Sequence, residues 1–336
     1  MLINYFESKG SAQAEIAISN IFNKAALNVV WKIIAGERYE YDDSRLDKLI
    51  TMLDKFMNLA QTMLSGPLGL LPFLKHIPPF KADFLRSKKE MEELRLFLTE
   101  TIEDHKKTFD SANIRDYIDT FINEIQISED KNFCEEHLVI CCLDMFAGGS
   151  ETTSKSLMFL IAYMVLYPDI QEKVYQELIA RVPDGQVRLE DMSALTFTDS
   201  VLVEIWRLNP IIPTDPQRET LENMKIGGFD IPAGTEVVSN YFAAQRDENI
   251  WEEPNVFKPE RHLGQKENLL LFGTGRRKCM GEGLARAENF LIFCNLIKHL
   301  RFECVEGKKP DVEHNNCLPG LTVGPTPFNV IITPRH

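Results

Sequence analysis

The fold of this 336-residue chain is decided by the stretch Phe272-Gly273-Thr274-Gly275-Arg276-Arg277-Lys278-Cys279-Met280-Gly281. Its glycines let the backbone turn sharply and approach a flat group at close range. Apolar residues recur at helical spacing directly behind it, which predicts a helix that begins close to Cys279. That helix end and the neighbouring cations favour a thiolate, which serves either as a metal ligand or as a nucleophile. A small buried cysteine in a turn is the commoner case for an arbitrary cysteine, but the glycines and cations here reverse that expectation.

The spacing Phe-Gly-x-Gly-x-Arg-x-Cys-x-Gly within this stretch resembles the haem-thiolate loop of the cytochrome P450 monooxygenases. The resemblance implies that Cys279 is the axial ligand of the iron of haem b. It also implies that Arg277 binds a haem propionate and that Phe272, Gly273 and Gly281 belong to the cofactor-binding loop.

A second pattern lies in the most apolar helix predicted from the sequence, which runs from about 133 to 167. Its middle reads Phe146-Ala147-Gly148-Gly149-Ser150-Glu151-Thr152-Thr153. Two adjacent glycines in a helix cost roughly 2 kcal/mol relative to alanine, so we expect them to serve a purpose. They either allow close helix–helix packing or leave room for a large planar cofactor and a small ligand. The resemblance implies the second role for Gly148 and Gly149, and implies that Glu151 and Thr152 are catalytic residues that manage the supply of protons.

A third pattern, Glu204-Ile205-Trp206-Arg207, places an acid and an arginine on one helix face. An isolated pair of this kind is by default a surface ion pair worth a few tenths of a kcal/mol. The resemblance instead implies a buried structural triad of Glu204, Arg207 and Arg261, which holds the chain before the cysteine loop. His262 stands where the family usually has Phe, and a metal-ligand role for it is disfavoured because Cys279 already fills the axial position.

Two further positions depart from the family. Gln217, in Pro216-Gln217-Arg218, stands where animal microsomal members commonly have a His that binds a haem propionate, so only an uncharged hydrogen bond is expected there. The family's Trp-x-x-x-Arg propionate contact is missing, since no tryptophan of this chain is followed by arginine four positions later. We therefore expect an N-terminally truncated family member that begins after the helix carrying that contact.

Composition limits the classes of partner and compartment. The net charge of -13 argues against nucleic acid or an anionic membrane as a general electrostatic partner. Seven cysteines without framework spacing indicate free thiols in a reducing compartment. No stretch approaches the ~20 apolar residues of a membrane span, and the first residues lack the features of a signal peptide.

The periodicity indicates a mainly α fold with minor β. Helices are predicted at 12–35, 44–64, 82–107, 116–125, 133–167, 169–181 and 200–208, with short strands at 225–231, 235–240 and 323–333. The apolar loop 66–73 is either core-facing or membrane-dipping. Together with the motif order, the resemblance implies a cytochrome P450 fold without its N-terminal portion. It forms a single incomplete domain, 1–336, with a helical middle region 1–132 and a haem-binding core 133–336.

The resemblance implies a monooxygenase, an oxidoreductase acting on paired donors with incorporation of molecular oxygen. It would insert one atom of O2 into a small lipophilic substrate, with electrons from an NADPH-dependent flavin reductase, because no nucleotide-binding glycine motif follows a strand here. Arg276 and Lys278 would suit docking of an acidic partner. The resemblance places the protein on the cytosolic face of the endoplasmic reticulum membrane, with no obligate oligomer, and segments such as Cys279-Met280-Gly281-Glu282 look most like insect members.

Three apolar stretches, 146–147, 211–213 and 321–323, are expected to line the substrate pocket. Two alternatives stand beside the monooxygenase. One is a catalytically inactive truncated family member with weak or no haem binding. The other is a haem-thiolate isomerase or dehydratase that needs no reductase, against which the acid–threonine pair argues.

Overall fold

Helices carry most of the chain in the computed structural model, which describes residues 2–9, 15–65, 67–264, 269–318 and 320–335. The helices of the described residues are α1 Leu2–Lys9, α2 Ser19–Ala35, α3 Ser44–Ser65, α4 Pro67–Leu70, α5 Phe80–Thr108, α6 Tyr117–Ile127, α7 Glu135–Leu166, α8 Pro168–Arg181, α9 Thr196–Leu208, α10 Tyr241–Ala244 and α11 Glu282–His299. The strands are β1 Glu15–Ala17, β2 Arg218–Glu219, β3 Met224–Ile226, β4 Phe229–Ile231, β5 Glu236–Val237, β6 Leu300–Cys304 and β7 Asn329–Pro334. The mainly α class with minor β is confirmed.

The predicted helices correspond to α2, α3, α5 to α9 and α11, with ends that differ by a few residues. The helix predicted over 12–35 begins only at Ser19, because the residues just before it form β1, and positions 12–14 lie outside the described residues. Helix α1 and strand β6 have no counterpart among the predicted elements. The loop predicted over 66–73 contains the short helix α4 and a following 3-10 turn, with residue 66 outside the described part.

The chain divides into two compact units, and α7 contributes residues to both. The first unit comprises Met1–Met158 and Pro327–Val330. Its core is an apolar cluster from α2, α3, α5, α6 and the first part of α7. Trp31 of α2 lies at its centre and meets Phe97 at 5.3 Å and Phe146 edge-to-face at 6.1 Å, between ring centroids.

Helix α2 ends in this unit at Gly36, as the sequence predicts. Gly36 adopts φ 68° and its N–H donates to the carbonyl of Lys32, the left-handed cap that glycine favours. A Cβ at Gly36 would lie 2.8 Å from Oδ2 of Asp116, the residue that caps the N-terminus of α6 by accepting a hydrogen bond from the Asp119 N–H. Both the backbone conformation and the close neighbour therefore require glycine.

The second unit comprises Phe159–Thr326 and Ile331–His336. Its core is formed by α8, α9, α11 and β6, where Phe290, Phe293 and Leu296 are buried. The side chain of Gln171 in α8 donates to the carbonyl of Phe302 at 2.9 Å and accepts from its N–H at 3.0 Å, which ties α8 to β6.

Small antiparallel ribbons belong to the same unit. Strand β2 pairs with β5, and β3 pairs with β4 with Met224 opposite Ile231. Gly227 and Gly228 join β3 to β4 with φ of 57° and 88°, the left-handed turn that suits the twist of a hairpin. Among the described residues, no helix combines the length and the apolar character needed to cross a bilayer.

Candidate functional site

Cys279 lies at the end of a closed loop in the second unit. Its N–H donates to the carbonyl of Phe272 at 2.8 Å, so that residues 272 and 279 form the base of the loop. A single 3-10 turn, Gly275–Arg277, forms its tip, and helix α11 starts three residues after the cysteine. The thiol is free and exposed. The predicted arrangement of a reactive cysteine just before a helix N-terminus is therefore present.

Two of the three loop glycines have a backbone conformation that favours glycine. Gly273 and Gly275 adopt φ of 73° and 71°, which side chains other than glycine rarely tolerate. A Cβ at Gly273 would also lie 3.0 Å from the hydroxyl of Tyr241. Gly281 has an ordinary φ, and a Cβ there would lie at an ordinary contact distance of 3.8 Å from Sγ of Cys279, so neither the backbone nor the space requires glycine at this position.

An aromatic contact fixes the base of the loop to α9. The ring of Phe272 meets Trp206 edge-to-face, with 6.3 Å between centroids. The guanidinium of Arg286, from the second turn of α11, lies over both rings, at 5.0 Å from Phe272 and 5.5 Å from Trp206. Sequence reasoning missed this anchor, although the aromatic residue two positions after Glu204 was visible.

The charges around the thiol are partly paired. Lys278 and Arg286 both bind the carboxylate of Glu282, at 2.6 Å and 2.8 Å. Burial opposes ionisation of Glu282, but these two hydrogen bonds lower the pKa of its carboxyl overall. Arg276 and Arg277 are exposed in the 3-10 turn. One of the three predicted cations is thus already engaged by an acid of α11.

The predicted triad is present, with Glu204 and Arg207 fully buried and Arg261 partly buried. Arg207 donates through Nε and Nη2 to the two carboxylate oxygens of Glu204, at 2.8 Å and 2.9 Å, and Arg261 donates through Nε to Oε1 at 3.0 Å. Arg207 also donates to the carbonyls of Gln245 and Pro254. The default reading as a surface ion pair is wrong, because neither Glu204 nor Arg207 has exposed area.

Two more donors complete the surroundings of Glu204. The backbone N–H of Lys258 donates to Oε1 at 3.0 Å, and Nε2 of His262 lies 2.8 Å from Oε2. Burial raises the pKa of Glu204, but the hydrogen bonds from Arg207 and His262 outweigh it and lower that pKa to about 2. The carboxylate is therefore ionised at every physiological pH.

The glycine pair of α7 lies in the first unit, and its two members have different surroundings. A Cβ at Gly149 would lie 2.6 Å from Cγ2 of Val30 in α2, so the close-packing alternative accounts for this glycine. A Cβ at Gly148 would meet no atom of the described chain within 4 Å. Helix α7 runs unbroken through both residues.

The polar residues of α7 are held by local contacts. Thr152 donates its hydroxyl proton to the carbonyl of Gly148 at 2.7 Å, and Ser150 donates to the carbonyl of Phe146, so both hydroxyls bond to the preceding turn of the helix. Glu151 binds Lys155 through Oε1 at 2.7 Å. Its Oε2 is buried and accepts no hydrogen bond from the described residues.

The sequence also predicted roles for Gln217, for the stretches 211–213 and 321–323, and for Phe146. Gln217 is exposed immediately before β2. The stretches 211–213 and 321–323 meet, because the N–H of Val323 donates to the carbonyl of Ile211 at 2.7 Å. Phe146, predicted to line a pocket, is instead fully buried in the core of the first unit against Trp31.

The donor set suits a planar iron cofactor better than a bare metal ion. A lone exposed cysteine sulfur offers one soft ligand, which fits the axial position of a haem but not the four ligands of a structural zinc site. The exposed Arg277 and the Gln217 amide are of the type that binds carboxylates such as propionates.

Comparison with known proteins agrees with this chemistry. The sequence model of the family described as Cytochrome P450 matches residues 1–332. Bovine cytochrome P450 2U1 (Bos taurus) is 33% identical over 329 residues, which are 94% of this chain and 59% of that protein. Human cytochrome P450 2D6 (Homo sapiens) is 33% identical over 333 residues, which are 94% of this chain and 65% of that protein. The chain thus spans less than two thirds of the length of these relatives.

Solved structures are similar in fold as well. A zebrafish cytochrome P450 structure with progesterone has a TM-score of 0.87 at 27% identity and covers 99% of this chain and 75% of its own. A zebrafish structure with abiraterone has a TM-score of 0.86, also at 27% identity, and covers 100% of this chain and 75% of its own. These relatives are vertebrate, and the similarity to insect members stays a prediction.

Proposed function

The chain belongs to the cytochrome P450 family, and we propose from this premise that it acts as a haem-thiolate monooxygenase whose haem is bound through the sulfur of Cys279. The observation that carries the proposal is the loop geometry. An exposed, unpaired thiol stands at the base of a glycine-rich loop, directly before α11. Haem bound there would supply the activation of O2, from which one oxygen atom enters the substrate and the other leaves as water.

Residues of the second unit would hold the cofactor. Cys279 would bind as thiolate, and the bond from its N–H to the carbonyl of Phe272 holds the backbone of the cysteine at the base of the loop. Arg277 and Gln217 would bind the propionates, the first by charge and the second by an uncharged hydrogen bond. Gly273, with φ 73°, lets the loop backbone turn without a side chain in the way.

On the other helix, Thr152 and Glu151 would hold and pass protons. The Thr152 hydroxyl donates its proton to the carbonyl of Gly148, so its oxygen can still accept a hydrogen bond from a small ligand. Glu151 has one oxygen engaged by Lys155 and one buried oxygen without a described donor. That second oxygen keeps an unused acceptor position, which a proton donor that reaches it could fill. Gly148 leaves the space that such a ligand needs.

We propose a small lipophilic substrate, because the two stretches that meet in the second unit, 211–213 and 321–323, are mainly apolar. The structures with progesterone and abiraterone support a steroid-like molecule as one candidate. Electrons would come from an NADPH-dependent flavin reductase, and the exposed Arg276 and Lys278 suit an acidic docking partner.

We also propose residence at the cytosolic face of the endoplasmic reticulum membrane. Leu71, Phe73 and Ile77 lie between α3 and α5 and are 48%, 57% and 46% exposed. Such apolar side chains on one short segment favour contact with a lipid surface, which supports the membrane-dipping alternative for the loop that begins at residue 66.

The experiment combines the haem-loaded chain, an NADPH-dependent flavin reductase and phospholipid vesicles under 18O2, with progesterone and lauric acid as probes. One 18O atom per molecule of product is the expected result. Thr152→Ala is expected to lower the product formed per NADPH consumed, because the hydroxyl that handles protons is gone. Thr99→Ala is the matched control, since Thr99 makes the same bond to the preceding turn on an exposed face of α5.

Product that carries oxygen from water instead of 18O2 would contradict the proposed reaction. Haem binding with NADPH consumption but no oxygenated product from either probe would favour the alternative of a catalytically inactive family member.

A further inference from the structure

The buried carboxylate of Glu204 accepts five hydrogen bonds, and one of its donors is a histidine. Oε1 accepts from Arg207 Nη2, Arg261 Nε and the Lys258 N–H. In the part of the chain that the structure describes, Oε2 accepts from two donors, Arg207 Nε and His262 Nε2, each at 2.8 Å. Because a carboxylate oxygen can only accept, Nε2 of His262 carries a proton. Without His262, one oxygen of a fully buried anion would keep a single donor.

His262 is held in place for this contact. The side chain is 2% exposed, and its ring meets Trp251 edge-to-face at 5.7 Å. The guanidinium of Arg207 lies 5.0 Å from the centre of the same tryptophan ring. Glu204, His262, Trp251 and Arg207 therefore form a closed ring of contacts, in which each residue limits the movement of the next.

This ring is connected to the cysteine loop through α9. Glu204 and Trp206 are two residues apart on that helix, and Trp206 contacts Phe272 at 6.3 Å. The carbonyl of Phe272 in turn accepts the N–H of Cys279. A shift of α9 that followed the loss of a donor at Glu204 would thus reach Phe272, the residue that holds the backbone of Cys279.

We infer that His262 is a positioning residue for Cys279, as a fourth member of the Glu204–Arg207–Arg261 cluster that this chain has where the family usually carries a phenylalanine. The inference rests on the proposed haem-thiolate function. It assigns to one hydrogen bond, from His262 Nε2 to Glu204 Oε2, a share in keeping the haem bound through sulfur.

The choice of variants separates the hydrogen bond from the bulk of the side chain. His262→Phe keeps a ring and removes the donor. His262→Gln keeps a donor, since the amide nitrogen of glutamine lies as many bonds from Cα as Nε2 does. In His262→Asn the amide is one bond shorter and falls short of Glu204. His137→Phe, at an exposed histidine of α7, is the matched control.

Two measurements on the haem-loaded protein test the inference. One is the share of the reduced, CO-bound Soret absorbance in the thiolate-type band, and the other is the rate of haem transfer to excess apomyoglobin. His262→Phe is expected to release haem about tenfold faster, with part of its absorbance moved out of the thiolate-type band, because a donor to a buried charge is lost. His262→Gln is expected to stay within about threefold of wild type by the same reasoning.

The outcomes distinguish this inference from the function on which it rests. A wild-type chain with no thiolate-type band overturns the proposed function and this inference with it. A normal wild-type band, with His262→Phe equal to wild type and to His137→Phe, overturns the inference alone. Should His262→Phe fail to fold, the Gln and Asn variants decide. Faster haem release from Asn than from Gln supports the hydrogen bond, and equal rates contradict it.

Discussion

The two adjacent glycines of α7 offer a stability test in which each glycine is the control for the other. We predict that Gly149→Ala destabilises the protein relative to Gly148→Ala. The two residues lie in the middle of the same helix, so the gain in helix propensity, about 1 kcal/mol, is common to both substitutions. What differs is the neighbour. Alanine at 149 would meet Val30 Cγ2 at 2.6 Å, and alanine at 148 would meet nothing within 4 Å.

The magnitude follows from the distance. Carbon atoms pack at about 3.5–4.0 Å, so the new methyl group at 149 is too close by about 1 Å. Val30 is 2% exposed and packed in the core of the first unit, so it cannot yield freely. Overpacking of this kind costs about 1–3 kcal/mol. Gly148→Ala should therefore stabilise by about 1 kcal/mol, and Gly149→Ala should be less stable than Gly148→Ala by about 1–3 kcal/mol.

A second substitution locates the clash. Val30→Ala alone leaves a cavity in the core and should cost about 1–3 kcal/mol. In the Gly149→Ala background, Val30→Ala also removes the close contact with the new methyl group. There it should lower the free energy of unfolding by about 1–3 kcal/mol less than in the wild type, and a double-mutant cycle measures this difference.

Urea unfolding of the haem-free chains, followed by far-UV circular dichroism, gives the four free energies of unfolding. Equal stability of Gly148→Ala and Gly149→Ala would refute the argument. So would a Val30→Ala cost that is the same in both backgrounds, because the methyl group at 149 would then not be meeting Val30.

Three further predictions concern the caps and charges of the scaffold. Gly36→Ala should destabilise by about 2 kcal/mol in urea titration, because φ is 68° and the new Cβ would lie 2.8 Å from Asp116; an unchanged midpoint would contradict this. The pKa of Glu204 is lowered from 4.5 to about 2, so its stabilisation, about 3 kcal/mol, is complete above pH 4.5 and is lost as pH falls towards 2. In Glu204→Gln the free energy of unfolding should no longer fall by that amount between pH 4.5 and pH 2. The same dependence of unfolding free energy on pH in the variant and in the wild type would contradict this prediction. Arg286→Ala should lower the free energy of unfolding by about 1 kcal/mol, because the cation–π contact with the Phe272 ring is lost. An unchanged melting temperature in thermal unfolding would show that this contact does not contribute.

Helices were the part of the fold that could be predicted. Their apolar residues recur at helical spacing over many turns, and glycine or proline marks several of their ends, as Gly36 does for α2. Strand β6 was missed although Leu300 and Phe302 are buried and Arg301 is exposed between them. That alternation was visible in the sequence, but the strand follows α11 without any intervening breaker, and its five residues read as a continuation of the helix.

The sequence could not predict which way each side chain of an apolar helix faces. Helix α7 is apolar on most of its circumference, so the sequence could not say whether Phe146 faces a ligand or the core. In the structure it packs against Trp31, and Gly149 makes room for Val30. Both contacts come from α2, more than a hundred residues earlier in the chain, and no local pattern encodes that pairing.

The turn at the cysteine loop could be predicted from its glycines, which are local features. The buried Glu204 cluster was predicted only through the family resemblance, because the acid–arginine spacing by itself indicates a surface ion pair. The motifs omitted two partners that arrive by tertiary contact, Arg286 on Phe272 and His262 on Glu204. Such partners become visible only when side chains are placed in space. The pairing of Lys155 with Glu151, by contrast, is an i,i+4 contact within α7 and follows from helical spacing.

The central claim is that Cys279 holds haem through its sulfur, and one spectrum tests it most directly. Purified chain is loaded with haem, reduced and exposed to CO, beside Cys279→Ser and the control Cys134→Ser, which removes another free thiol. A thiolate-type Soret band in wild type and in Cys134→Ser, and its loss in Cys279→Ser, is the predicted result. The same band in Cys279→Ser, or none in the wild-type chain, would contradict the account.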